Sequence, residues 1–141
     1  MKLSILIMIQ AVTCIALGIA FTLYAPLMMA FFAVPDALDS PLAYWQVAAF
    51  VRMYGVALLG LGLLLLAVRG FVDDMAPNSR RGILSALMLA NLLSAIVAVT
   101  QQQSVWQTAA GWMAVLLYTV FFISYAIAYG QSQKKDDLKA I

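Results

Sequence analysis

Few residues in this chain can do chemistry, and their types narrow the field at once. There is no histidine and no glutamate. Zinc sites, di-iron carboxylate sites, His-ligated haem and histidine general bases therefore lack their usual ligands or actors. The carboxylates are six aspartates, Asp36, Asp39, Asp73, Asp74, Asp136 and Asp137, all in polar breaks or in the tail. Cys14 is the only cysteine and lies inside an apolar run, so no internal disulfide forms. Serine, threonine and cysteine occur within apolar stretches without His, Glu or Lys beside them, which leaves no nucleophile–base pair. No catalytic residue, metal ligand or bound cofactor is assigned on this basis. What remains is a handful of polar side chains inside long apolar tracts, Arg52, Tyr54, Asn91 and Tyr118. They suit ion pairing, hydrogen bonding or contact with a ligand.

Those tracts decide what must position them. The 141 residues are 65% hydrophobic and only 10% charged. A soluble domain carries roughly 25% charge. The net charge of +2 and the scattered basic residues give no footprint for nucleic acid. About 20 apolar residues cross the hydrocarbon core of a bilayer. Four stretches meet that length, at 3–24, 41–68, 80–100 and 106–129, followed by a polar tail at 130–141. The first resembles a signal peptide behind Lys2, but it is longer than a signal core of about 7–15 residues and reads as an uncleaved span.

The expected fold is an all-α membrane protein, one four-transmembrane-helix bundle running antiparallel, up and down. Pro26 bends or ends the first span, leaving the apolar residues Leu27 to Val34 either as a continuation beyond a kink or as an interfacial segment. Ser40 and Pro41 form a start signal, with serine as cap and proline at the first helical position. Gly70 and Gly130 mark expected helix ends, Asn78 or Ser79 an expected cap, and Gln101 to Ser104 an uncharged turn.

Cytoplasmic segments carry the excess of Lys and Arg. Lys2 precedes the first span, Arg69, Arg80 and Arg81 fill the second break, and Lys134, Lys135 and Lys139 lie in the tail. The first and third breaks contain no basic residue. Both termini are expected in the cytoplasm. Trp45, Trp106, Tyr24 and Tyr44 then fall at the outer interface, and Tyr125 and Tyr129 at the inner one.

Helices in lipid associate through close packing of small residues. The third span has Gly82, Ala86, Ala90, Ser94 and Ala98 at four-residue spacing. The first has Cys14, Gly18 and Thr22, and the second has Gly55 and Gly62 on one face. These ridges are expected to meet inside the bundle. Arg52 is the only charge within a span and sits 16 residues before Val68, about 24 Å along the helix. Its side chain can snorkel to the outer surface or pair with Asp36 and Asp39. Sharing a face with Gly55 and Gly62, it is expected to point inward, where it could also hold an anion. Asn91 is expected to make an interhelical hydrogen bond, with Tyr54 and Tyr118 as hydroxyl partners for Asn91 or Arg52. The stripe Tyr118, Phe122, Tyr125, Tyr129 reads as core or lipid contact.

The run YAPLMMAFFAVPD, then FVRMYGVALLGLGLLLLA, then an Arg-rich turn resembles the DoxX-like small bacterial four-helix membrane proteins, through Pro26, Pro35, Arg52, Gly55, Gly60 and Gly62. The resemblance covers the first half closely and the second in outline. It implies a bacterial inner-membrane location, and through some relatives a link to quinone-dependent oxidation. Three functions follow as expectations. The first is a non-enzymatic accessory or structural subunit, with lipid and other membrane subunits, or further copies of itself, as partners. The second is a component of a membrane oxidoreductase that binds quinone or another lipid through Arg52, Tyr54 and Asn91. The third, a small multidrug-type transporter, lacks the carboxylate within a span that proton coupling uses.

Overall fold

The computed structural model describes residues 3–34 and 41–137, with side chains to residue 133. The expected break at Pro35, Asp36, Asp39 and Ser40 lies outside the described residues. The elements are α1 (Leu3–Leu23), α2 (Ala25–Phe31), α3 (Pro41–Arg69), α4 (Pro77–Gln101), a π-helical turn (Gln102–Trp106) and α5 (Ala109–Asp137). Four of them, α1, α3, α4 with its π turn, and α5, are long and apolar enough to cross a membrane. In hydrocarbon a backbone must satisfy its own polar groups, which is why such tracts are helical. The chain is a multi-pass membrane protein.

α1 and α2 are nearly one helix. Tyr24 leaves helical geometry (φ −115°, ψ 37°), and Pro26 follows at the start of α2. Proline has no N–H and crowds the preceding turn. Yet Tyr24 N–H still donates to Ala20 O at 2.9 Å and Met28 N–H to Tyr24 O at 3.0 Å, so the chain kinks with little loss of hydrogen bonding. α2 stops when Ala33 turns left-handed, with φ 56°. Val34 N–H then donates to Met29 O and Ala33 N–H to Ala30 O, each at 3.0 Å, the paired bonds of a Schellman end. Thus most of the segment Leu27 to Val34 is a short helix, packed on α1 and α3.

α1 and α3 form one tight pair. Gly55 lies against Thr22 and Gly18, and Gly62 against Ala11 and Ile15. α4 and α5 form the second pair. The core is concentrated at one end of the bundle, where Leu3, Leu6, Ile7 and Ala11 meet Leu65, Val72, Leu84, Phe121 and Tyr125.

Several boundaries correct the sequence reading. α4 begins at Pro77 with Ala76 as cap, so Asn78 and Ser79 lie within its first turn. Proline at the first helical position overrides the caps after it. The segment from Gln101 to Ser104 does not form the turn. The helix widens into π geometry there and reverses at Gln107, whose φ is 49°. Gly70 does follow α3, but it lacks a left-handed φ; the chain tightens there through Gly70 N–H to Ala67 O. Gly130 does not end α5, which runs on through Gln and Lys residues to Asp137. Those are good helix formers, and one glycine costs about 1 kcal/mol, too little to break a long helix.

Candidate ligand cavity

At the end of the bundle opposite the packed core, the two helix pairs stand apart around a cavity of about 560 Å³. That volume falls within the range of about 300–1,000 Å³ typical of small-molecule sites. Phe21 comes from α1, Met28, Met29 and Phe32 from α2, Phe50, Val51 and Tyr54 from α3, Leu93, Ser94, Val97 and Ala98 from α4, and Tyr118 from α5. Val34, Gln101 and Trp106 complete the lining. The kink at Tyr24 lays α2 across this end, and the π turn brings Trp106 against it. Phe32 packs on Trp106 at 4.7 Å between ring centroids and tilts against Phe21 at 6.1 Å.

The polar part of the wall is small. Tyr54 and Tyr118 hydroxyls are 2.8 Å apart and hydrogen-bonded, joining α3 to α5. Phe21 meets the Tyr54 ring edge-on at 5.4 Å and fixes its plane. Ser94 and Gln101 add a hydroxyl and an amide. Among the described residues, no charged side chain lines the cavity. Phe50 is 73% exposed, and Leu93 and Val97 are more than half exposed. The gap between α3 and α4 is therefore open sideways, toward the apolar exterior of the bundle.

Only part of the expected constellation comes together here. Tyr54 and Tyr118 pair with each other, not with Asn91 or Arg52. Asn91 accepts from Gln10 Nε2 at 3.2 Å through Oδ1, and its own Nδ2 donates to Leu87 O at 2.8 Å. The Gln10–Asn91 bond links the two helix pairs across the middle of the bundle. Arg52 is exposed and takes no part in the cavity. At 100° per residue it stands about 60° from Gly55 and about 160° from Tyr54, on the far flank of the glycine seam. Its inward orientation is thus corrected. Asp36 and Asp39 lie outside the described residues.

The ridges divide in the same way. Gly18, Gly55 and Gly62 are buried in the α1–α3 seam. On α4, Ala98 is buried and Ser94 half-buried, but Gly82, Ala86 and Ala90 face outward. A methyl added at Gly82 would meet nothing. The inward face of α4 is instead Leu84, Asn91, Ala95 and Ala98, a stripe in which one large residue and one amide do what small residues were expected to do. Tyr125 likewise leaves the expected inner belt and is fully buried.

Sequence reasoning missed Gln10, although it is the only amide in the first apolar stretch, and that was the available signal. It missed Gln102, which is buried and whose Nε2 donates to Thr108 O at 3.1 Å, pinning the reversal between α4 and α5. It also missed the aromatic and methionine lining of α2, for which apolarity alone gives no signal. No protein-family model, no curated protein and no solved structure matches the chain.

Proposed function

We infer that the protein is an accessory component of a bacterial cytoplasmic-membrane assembly that works by holding an apolar molecule, a quinone or another lipid, between its two helix pairs. The observation that carries this is the cavity: apolar, of small-molecule size, open sideways between α3 and α4, and furnished with paired tyrosine hydroxyls. Tyr54 and Tyr118 are its polar contacts, and Ser94 lies on the same wall. Arg52 and Asn91 are left to topology and to helix association. The resemblance to DoxX-like proteins points the same way.

In this reading the four spans run antiparallel and up-down, with both termini in the cytoplasm. The seam contacts support it, since Gly55 opposes Thr22 and Gly18 while Gly62, further along α3, opposes Ala11 and Ile15, earlier in α1. The placement of Lys2, Arg69, Arg80, Arg81 and the tail lysines supports the same orientation. The outward stripe Gly82, Ala86, Ala90 offers a neighbouring subunit or a second copy a close approach.

The test is purification in a mild detergent followed by extraction and mass spectrometry of whatever accompanies the protein. A stoichiometric apolar molecule that is lost from a Ser94→Trp variant supports the proposal. Protein that is folded and monomeric, free of both lipid and partner, would overturn it.

A further inference from the structure

Two tyrosine hydroxyls carry two protons between them, and the bond of 2.8 Å uses one. The other O–H is left over, together with lone pairs, on the wall of a cavity in apolar surroundings. In hydrocarbon an unused donor is costly and seeks an acceptor. The remaining lining bears on what that acceptor belongs to. Among the described residues no cation stands there to hold an acid, and no anion to hold an ammonium head. The side opening lies between Phe50 of α3 and Leu93 and Val97 of α4, at the apolar exterior, so a long tail can remain in the bilayer while its head reaches the hydroxyls.

We propose that the cavity takes a neutral single-chain lipid from the surrounding bilayer, head first, and that the Tyr54–Tyr118 pair reads an uncharged oxygen on that head. An alcohol, ester or ketone oxygen accepts the spare proton. A hydrocarbon offers nothing to it, and a fixed charge arrives with its hydration shell and no counter-charge. Met28 and Met29 of α2 roof the space with unbranched, adaptable side chains, which suits a flexible tail better than a single rigid shape. This inference rests on the binding role proposed above and adds the chemistry of the ligand to it.

The test uses purified protein in vesicles of a neutral phospholipid. Dodecanol, dodecane and dodecane sulfonate, each with the same mid-chain diazirine, are photolysed, and labelled peptides are located by mass spectrometry. The alcohol should label α2 and the Trp106 region several-fold more than the other two. Tyr54→Phe and Tyr118→Phe combined should lower alcohol labelling about three- to ten-fold, the loss of one hydrogen bond, and leave dodecane labelling unchanged, whereas either change alone leaves one O–H free to donate and keeps most of the alcohol labelling. Ser94→Trp, which fills the space, should remove labelling by every probe.

Equal labelling by alcohol and alkane, insensitive to the tyrosines but abolished by Ser94→Trp, would overturn the head-group proposal and leave the binding role standing. Preference for the sulfonate would do the same. Absence of labelling at α2 and Trp106 by any probe removes both. The comparison of three probes on the unmodified protein decides the head-group question even if Ser94→Trp does not fold.

Discussion

Four buried polar side chains in this bundle are treated differently, and the contrast sets their energetic roles. Gln10 Nε2 donates to Asn91 Oδ1 and Asn91 Nδ2 to Leu87 O, which leaves Gln10 Oε1 without a partner among the described residues. Gln102 holds a turn. The Tyr125 hydroxyl, on a side chain with no exposure at all, has no hydrogen-bond partner among the described residues. A buried donor without a partner costs about 1–3 kcal/mol, whereas the apolar ring around it packs against Leu3, Ile7 and Leu84 to advantage. Tyr125→Phe keeps the ring and removes the unsatisfied group. It should raise stability by about 1 kcal/mol, read as a higher denaturation midpoint in detergent. A loss of 1 kcal/mol or more would show that a water or another group satisfies the hydroxyl.

At the scale of elements, the two pairs are held by different devices. In the α1–α3 seam a methyl on Gly62 would come within 2.6 Å of Ile15 Cγ1 and 2.9 Å of Ala11 O, and one on Gly18 within 2.7 Å of Leu59 N. Backbone atoms cannot step aside, so the helices must separate. On the same helix Gly60 has open space around it. Gly62→Ala should therefore cost about 1–3 kcal/mol through overpacking, while Gly60→Ala and Ala90→Leu, both outward, should stay within about 0.5 kcal/mol of the parent. Thermal unfolding of the three variants side by side checks this, and equal losses would refute the seam. The same residues show what the sequence made legible. Spans are written in hydropathy, and glycines at heptad spacing on α3 point to a close approach. The direction a ridge faces depends on its partner, however, and nothing in Gly82, Ala86 and Ala90 says that the bundle interior takes the Leu84–Asn91 face instead. The cavity was less legible still: Tyr54 and Tyr118 are 64 residues apart, and only the fold brings their hydroxyls together.

Over the whole molecule, packing is uneven along the bundle axis. Leu3, Leu65, Val72, Leu84 and Tyr125 close one end, next to the α3–α4 connection that is flanked by Arg69 at the end of α3 and by Arg80 and Arg81 at the start of α4. The other end holds the cavity, roofed by α2 and the π turn, and no Lys or Arg occurs in its third break. Arg52 apart, positive charge and tight packing thus coincide, as do their absence and the opening. Basic segments stay in the cytoplasm during insertion, so the packed end should face inward and the cavity should lie in the outer leaflet. Two single-cysteine variants on a Cys14→Ala background separate the alternatives. Gln103 and Ser79 are both exposed, at the two opposite ends. In intact cells a membrane-impermeant maleimide should label Gln103→Cys and spare Ser79→Cys until the membrane is lysed. The reverse pattern would invert the protein, place the cavity in the inner leaflet and move its lipid supply to the cytoplasmic face. Labelling of both variants, or of neither, in intact cells would break the link between charge and packing on which the orientation stands.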